Sequence, residues 1–200
     1  MSRLLLLVTL ASAALLVFGL WIPAKAVVAQ ELLELAWAQS QAGRAEVRPW
    51  PWADTWPVAK LKLPELDESM IVLAGSHGES LAFGPGAMTE RVDGSEPVVI
   101  AGHRDTHFRK LQYLEPGSEI RLQDRNGRWH SYQVTGVRVV DSRTGRIDTG
   151  SMSPDTLLLV TCYPFDSLTA GGPLRYVVEA RAGGLHNGNP IGQIDTVAGT

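Results

Sequence analysis

The sequence contains one cysteine, and it stands where a nucleophile would be expected. Cys162 closes the apolar run 157–161 and is followed by Pro164 and a turn-rich segment, a pattern typical of a buried strand that ends at the cysteine. A thiol at a strand end can face a groove, and thiols need less activation than hydroxyls to attack a carbonyl carbon. An inert, buried structural cysteine is the alternative interpretation of the same pattern.

Two other residues also stand at the ends of predicted strands, and they could supply the acid–base group and the oxyanion donor that a cysteine nucleophile needs. His103 comes directly after the apolar strand 97–101 and a glycine that permits a tight bend, and an imidazole there can pair with a thiolate and protonate a leaving amine. Arg175 opens the last strand after a glycine-rich loop, and a guanidinium can donate to a developing oxyanion and favour the thiolate. A sequence does not show which strands are neighbours, so a satisfied buried histidine and an ordinary strand-edge arginine stay open.

The remaining histidines carry weaker assignments. His77, in a glycine-flanked loop, is the chief rival for the base, whereas His130 and His186 attract no role. His103 and His107 have the four-residue spacing of two metal ligands on one helix face, but His103 is expected to precede the helix and no third ligand is evident. The sequence therefore predicts neither a metal site nor another cofactor.

Composition narrows the class of protein. The 200 residues, 44% of them hydrophobic, with 20 glycines and 12 prolines, suit one compact domain and an appendage. A net charge of −3 without a run of Lys or Arg gives no clustered basic footprint for nucleic acid. A single cysteine excludes an intramolecular disulfide framework and any Cys-pair zinc site.

The N-terminal stretch Leu4 to Ile22 is uncharged and lies between Arg3 and Lys25. As a helix it would extend about 28 Å, close to the roughly 30 Å of bilayer hydrocarbon. We expect an uncleaved membrane anchor. A signal peptide cleaved after Ala26, in the small-x-small pattern 24–26, is the alternative, and both interpretations export the rest of the chain.

Two segments connect the anchor to the domain. The spacing of apolar residues over 24–41 predicts an amphipathic helix that continues the anchor or lies along the domain and ends near Gly43. The strap 48–57 holds three tryptophans among three prolines and is expected to be extended. Its indoles either form a membrane-interface belt or partner surface, or pack onto the domain.

The rest of the sequence, from residue 58 onward, has the pattern of short strands separated by turns. The alternation of apolar and polar residues over 129–135 and the Asn126-Gly127 turn before it indicate a hairpin. Short helices are predicted at 79–83 and 107–114, the second capped by Asp105-Thr106. Seven strands with few helices predict a closed or nearly closed, mainly β barrel. The predicted strands are 58–63, 69–74, 97–101, 119–122, 129–140, 156–161 and 175–182.

Three motifs, in this order, resemble those of the sortases, a family of membrane-anchored cysteine transpeptidases. The family's Thr-Leu-x-Thr-Cys motif corresponds to LLVTC at 158–162, its histidine strand to AGHRDT at 101–106, and its arginine strand to PLRYVV at 173–178. Leu158 replaces the first threonine, inward of the thiol. The resemblance covers 58–182 and the anchor, and the histidine and cysteine motifs with the Trp-rich strap are most similar to sortases of Gram-negative bacteria.

The resemblance implies an acyl transfer in two steps. Cys162 would attack the Thr-Gly bond of an LPxTG-like sorting signal in a protein substrate, and an amine of unknown identity would resolve the thioacyl enzyme. His103 would protonate the leaving amine, and Arg175 would hold the substrate backbone and stabilise the oxyanion. Thr161 and Ala101, beside these residues in the motifs, would contact the substrate.

The implied architecture is a closed eight-stranded barrel with short helices. We expect an anchor over 1–23 in the inner (cytoplasmic) membrane, a helix and strap over 24–57, a catalytic barrel over 58–183 facing the periplasm, and a flexible tail over 184–200. The loop 141–154 would help form the sorting-signal groove.

Two other functions remain open at this point. An envelope L,D-transpeptidase would place its cysteine just after a Ser/Thr-His-Gly turn, whereas Ser76-His77-Gly78 is followed by Glu79 and Cys162 is far away. A membrane-tethered binding module with an inert thiol is the non-enzymatic alternative.

Overall fold

Eight strands close into a barrel in the computed structural model, which describes residues 2–183 apart from 77, 79, 90, 146, 147 and 168–170. Around the barrel the order is β1-β2-β3-β4-β7-β8-β6-β5. The strands are β1 Pro57–Leu63, β2 Glu68–Ala74, β3 Gly86–Ala87, β4 Val98–Ala101, β5 Glu119–Gln123, β6 Trp129–Asp141, β7 Thr156–Cys162 and β8 Leu174–Ala182. One long helix, α1 Ser2–Gln41, precedes them, and 3₁₀ helices cover Pro64–Leu66, Ser80–Ala82, Arg109–Tyr113 and Thr149–Ser151.

The seven predicted strands are all present, with ends that differ by one residue, and the expected closed barrel is confirmed. The strand without a sequence signal is β3, whose two residues are too few to display alternation. The predicted helix at 107–114 is a 3₁₀ helix that begins after Phe108 without a side-chain cap. The expected capping by Asp105 is wrong, because its carboxylate is paired with Arg104 instead.

Strand β7 lies between β4 and β8 in the barrel and is buried on both faces. Leu157 and Leu159 point into the barrel core, whereas Leu158 and Val160 belong to a second apolar cluster on the outer face. An uninterrupted apolar run is the pattern of a strand covered on both sides. Cys162, two residues beyond Val160, therefore projects from the outer face of the barrel.

Helix α1 is a single element from the apolar stretch to its contact with the barrel. Leu33 and Trp37 are buried against Ile71 and Leu73 of β2, and the Lys60 ammonium of β1 pairs with Glu34 at 2.9 Å. The helix ends at Gln41, and Gly43 follows with a φ of +88°, as expected for a helix terminator. Among the described residues, α1 is the one helix long and apolar enough to cross a membrane.

The tryptophans of the strap divide between two environments. Trp50 contacts Phe83 edge to face, with ring centroids 4.8 Å apart, and Trp56 packs against the barrel core. Trp52 is 82% exposed. Packing onto the domain thus accounts for two of the three indoles.

The predicted tail 184–200, with His186, and the rival base His77 lie outside the described residues.

Candidate active site

The register between β4 and β7 brings His103 level with Cys162. The two strands are parallel, with Ala101 opposite Val160, and the Gly102 N–H donates to the Val160 carbonyl oxygen at 3.0 Å. His103 lies two residues beyond Ala101, and Cys162 lies two residues beyond Val160. Because neighbouring strands run about 4.8 Å apart, the imidazole and the thiol leave adjacent chains at the same height.

Arg175 occupies the other side of the thiol. It lies directly opposite Cys162 in the antiparallel pair of β7 and β8, so both side chains project from the same face of the sheet. The Arg175 Nη1 atom donates to the carbonyl oxygens of Gly172 at 2.6 Å and Leu174 at 2.9 Å. The three residues predicted to carry chemistry therefore lie on three neighbouring chain segments, in the order His103, Cys162, Arg175.

The exposure of these side chains suits chemistry with a dissolved or membrane-bound peptide. Cys162 is a free thiol of intermediate exposure, Arg175 is also partly exposed, and His103 is exposed. A buried structural cysteine was the alternative interpretation, and a thiol open to solvent at a strand end does not match it.

A groove of about 210 Å³ adjoins the site on the outer face of the barrel. Val140, Val160 and Val177 give it apolar walls, and Arg138 and Arg175 contribute cations. The β6–β7 connection lines one side through Gly145 and Ser142, whose hydroxyl donates to the Pro173 carbonyl oxygen at 2.7 Å. Two residues of the segment expected to form a substrate groove, 141–154, thus line this groove together with Arg175.

The base of this connection is fixed by a short-range ion pair. Arg143 donates to both carboxylate oxygens of Asp141, with an Nη2 to Oδ2 distance of 2.6 Å. These hydrogen bonds lower the pKa of Asp141 to about 2, so its carboxylate stays charged at every pH at which the protein would work.

Thr161 and Ala101, both expected to contact substrate, have different positions. The Thr161 hydroxyl is 2% exposed and donates to the Gly102 carbonyl oxygen at 2.8 Å, so it fastens β7 to the residue before His103. The hydroxyl group thus has its partner inside the protein, and a contact of Thr161 with substrate stays a prediction. Ala101 is partly exposed on the outer face and stays a predicted contact.

Gly102 is required for a reason other than a bend. A Cβ atom at this position would lie 2.7 Å from Cδ2 of Phe108, whose ring is fully buried. The φ angle of Gly102 is not positive. The absence of a side chain lets the chain before His103 pack against Phe108, which seats the 103–108 turn on the barrel.

His107 lies near His103 but in a different environment. It is half-buried, and the two histidines lie in a turn before the 3₁₀ helix instead of on one helix face. Burial lowers the pKa of His107, and the positive charge of His103 lowers it further. Within the described ranges, no three His, Cys, Asp or Glu side chains are grouped to hold a metal ion.

One residue of the region escaped the sequence analysis. Arg104 follows His103 directly, yet its side chain is only 6% exposed, and it bonds across to the segment that follows Cys162. Its signal in the sequence is weak, because an arginine next to an aspartate in a turn is usually a solvated pair.

The structure is thus a closed β-barrel with a partly exposed thiol, an imidazole and a guanidinium at neighbouring strand ends on its outer face. The sortase domain family matches residues 61–182, and the chain therefore belongs to the sortase family. Sortases are cysteine transpeptidases. Neither an L,D-transpeptidase nor a binding module is favoured by these matches.

Named relatives agree with this assignment. Sortase D of Bacillus subtilis is 31% identical over 123 residues, which cover 60% of this chain and 61% of that protein. Sortase A from Corynebacterium diphtheriae superposes with a TM-score of 0.55 at 23% identity, covering 70% of this chain and 66% of the other. A sortase D5 transpeptidase of Clostridium perfringens superposes with a TM-score of 0.59 at 19% identity, covering 79% and 99%.

Two further points follow from these comparisons, one on the length of the match and one on the source of the relatives. The chain spans 61% of the curated relative's length. The relatives come from Gram-positive bacteria, and the expected special similarity to sortases of Gram-negative bacteria is not supported.

Proposed function

We propose that this protein is a membrane-anchored cysteine transpeptidase that cleaves an LPxTG-like sorting signal and transfers the acyl part to an amine. One observation carries the proposal: Cys162 lies between His103 and Arg175 at the ends of neighbouring strands, beside a groove. Membership of the sortase family agrees with it.

In the first half-reaction the Cys162 thiolate attacks the carbonyl carbon of the threonine in the Thr-Gly bond. The tetrahedral oxyanion forms on the side of β8, where the Arg175 guanidinium supplies hydrogen-bond donors and charge. The carbon–nitrogen bond then breaks, the protonated imidazole of His103 gives its proton to the glycine amine, and a thioester to Cys162 remains.

In the second half-reaction an acceptor amine attacks the thioester carbonyl. The now neutral imidazole of His103 takes the proton of that amine, a new amide forms, and the Cys162 thiolate is released. The charge state of the pair is restored at the end of the cycle. Water is the competing acceptor, and its attack would give a free carboxylate.

The groove on the outer face is the proposed seat of the sorting signal. Its apolar walls, from Val140, Val160 and Val177, suit the leucine and proline of the signal, because burial of aliphatic side chains is favourable at about 25 cal/mol per Å². Ala101 borders the same end of the face and would contact the residue next to the scissile bond.

The proposed anchor is the N-terminal half of α1. Its apolar side chains, such as Leu15 and Phe18, are largely exposed, which suits contact with lipid and not with water. With Arg3 on the cytoplasmic side, the barrel is on the outer side of the cytoplasmic membrane. The division of the chain at 23, 57 and 183 is part of this proposal.

The test is intact mass spectrometry of the full chain in detergent with LPxTG-type peptides. We expect a mass increase equal to the peptide up to its threonine, mapped to Cys162 and discharged by added amine. Absence of an adduct and of cleavage over several motif variants, with the thiol free, would favour another acyl substrate or the binding module.

Replacement of Arg175 by alanine is expected to lower kcat for peptide cleavage by about 10² to 10³-fold with little change in KM, because the donor acts mainly on the oxyanion. The lysine variant should recover part of this loss. The matched control is Arg181→Ala, which removes an exposed arginine of the same strand. Equal kinetics of the Arg175 and Arg181 variants would contradict the role.

A further inference from the structure

Arg104 connects the two segments that carry the acid and the nucleophile. Its Nη1 atom donates to the Pro164 carbonyl oxygen at 2.6 Å, and its Nη2 atom donates to the Ser167 carbonyl oxygen at 2.8 Å. Both carbonyl groups belong to the segment that follows Cys162, whereas Arg104 is the next residue after His103 in the chain. One side chain thus bridges sixty residues of sequence at the site.

The same guanidinium is held by a carboxylate on its own segment. Arg104 Nε lies 2.8 Å from Asp105 Oδ1, and Nη2 lies 3.1 Å from Oδ2. The guanidinium group is thus held by two carboxylate oxygens on one side and by two backbone carbonyl oxygens on the other. These four acceptors fix its orientation, and a lysine ammonium group cannot reproduce this geometry. The arginine is 6% exposed and the carboxylate 69%, so the pair runs from the interior to the surface.

The charges of this pair face the two reacting groups separately. The pKa of Arg104 is raised first by the hydrogen bond to Asp105, and also by the negative charges of Cys162 and Asp166. The pKa of Asp105 is lowered first by the hydrogen bonds from Arg104, and also by the positive charges of His103 and Arg109. The Arg104 guanidinium is therefore near enough to Cys162, and the Asp105 carboxylate near enough to His103, for their charges to interact.

We propose that Arg104 and Asp105 are positioning residues of the active site: Arg104 sets the spacing between His103 and Cys162 and favours the thiolate, while Asp105 favours the imidazolium. The inference rests on the proposed function for its kinetic part only. A thiolate and imidazolium pair is the reactive form that acyl transfer requires, and a buried cation stabilises it more strongly than an exposed one.

Other charged groups face the same atoms and would stay constant in the test. Cys162 also faces Arg175 from β8 and lies near Asp166 of the following connection. His103 also interacts with His107 of its own turn, whose pKa is lowered by burial. Substitutions at Arg104 or Asp105 therefore leave these other charged groups in place.

The experiment measures the rate of Cys162 alkylation by iodoacetamide as a function of pH, on the full chain in detergent. Arg104→Gln removes the charge and the bridge, and we expect the pH midpoint of alkylation to rise by about one unit. Peptide cleavage should fall by roughly 10 to 100-fold in kcat/KM, since small misplacements of a general acid are costly.

Arg104→Lys separates the two roles. It keeps the charge, so the alkylation midpoint should stay within about 0.3 units of the wild type, but it loses the bridge, so kcat/KM should still fall by about 10-fold. Arg125→Gln is the control, because it removes an exposed arginine in the turn between β5 and β6, away from the site, and both readouts should be unchanged.

A folded Arg104→Gln variant with the wild-type alkylation midpoint and wild-type kcat/KM would overturn the inference. Should that variant fail to fold, the decision passes to Arg104→Lys and Asp105→Asn, and wild-type kinetics in both would overturn it equally. Alkylation needs no sorting peptide, so a shifted midpoint without peptide cleavage would keep this inference and reject the proposed substrate.

Discussion

Replacement of Cys162 by alanine is expected to abolish the thioacyl adduct and to lower kcat/KM for peptide cleavage by at least about 10⁴-fold. The reason is that the described part of the chain offers no other thiol at the ends of β4, β7 and β8, and the sequence contains none elsewhere. The measurement is amine-dependent cleavage of a fluorogenic LPxTG-type peptide by the full chain in detergent.

Two controls accompany this result. Cys162 is only partly buried at a strand end, so the alanine variant should keep its melting temperature within a few degrees. Cys162→Ser retains the shape of the side chain but offers a hydroxyl of far higher pKa, and we expect it to be almost as inactive. Appreciable cleavage by the alanine variant would remove Cys162 from the mechanism.

Replacement of His103 by alanine is the second large effect, with an expected loss of about 10³ to 10⁴-fold in kcat/KM. Its matched control lies in the same turn: His107→Gln removes an imidazole four residues away that is half-buried and whose pKa is lowered by burial. We expect the control to stay within about threefold of the wild type. Equal losses in the two variants would point to a structural role for the whole turn.

The role of His103 as a proton donor can be checked further with the substrate. When the scissile amide is replaced by an ester, the leaving alcohol needs less help from an acid than an amine does. The deficit of His103→Ala in the acylation step should therefore shrink with the ester peptide. A deficit of the same size with both peptides would contradict proton donation to the leaving group.

Much of the barrel could be predicted because its signals are local. The alternation in β6 and the apolar run of β7 directly report one buried face and two buried faces, respectively. The residues of the site were also identifiable, since each stands at the point where an apolar strand meets a turn. What could not be predicted was their proximity, because the parallel register of β4 on β7 joins segments far apart in sequence.

Tertiary contacts that a local pattern does not show explain why two features around His103 were not predicted. Asp105 is a good helix-capping residue by type, but a buried guanidinium offers it a charged and bidentate partner. Arg104 was passed over for the same reason, since its partners at Pro164 and Ser167 are remote in sequence.

The continuity of α1 has a consequence for the range of the enzyme. The helix leaves the apolar stretch at residue 22 and reaches the barrel at Gln30, whose side-chain amide donates to the Phe83 carbonyl oxygen at 2.9 Å. The helix is continuous over this interval, and eight residues of helix rise only about 12 Å. With the apolar stretch in a bilayer, as proposed above, the barrel would stay close to the lipid surface, and we expect peptides tethered beside the membrane to be within its reach.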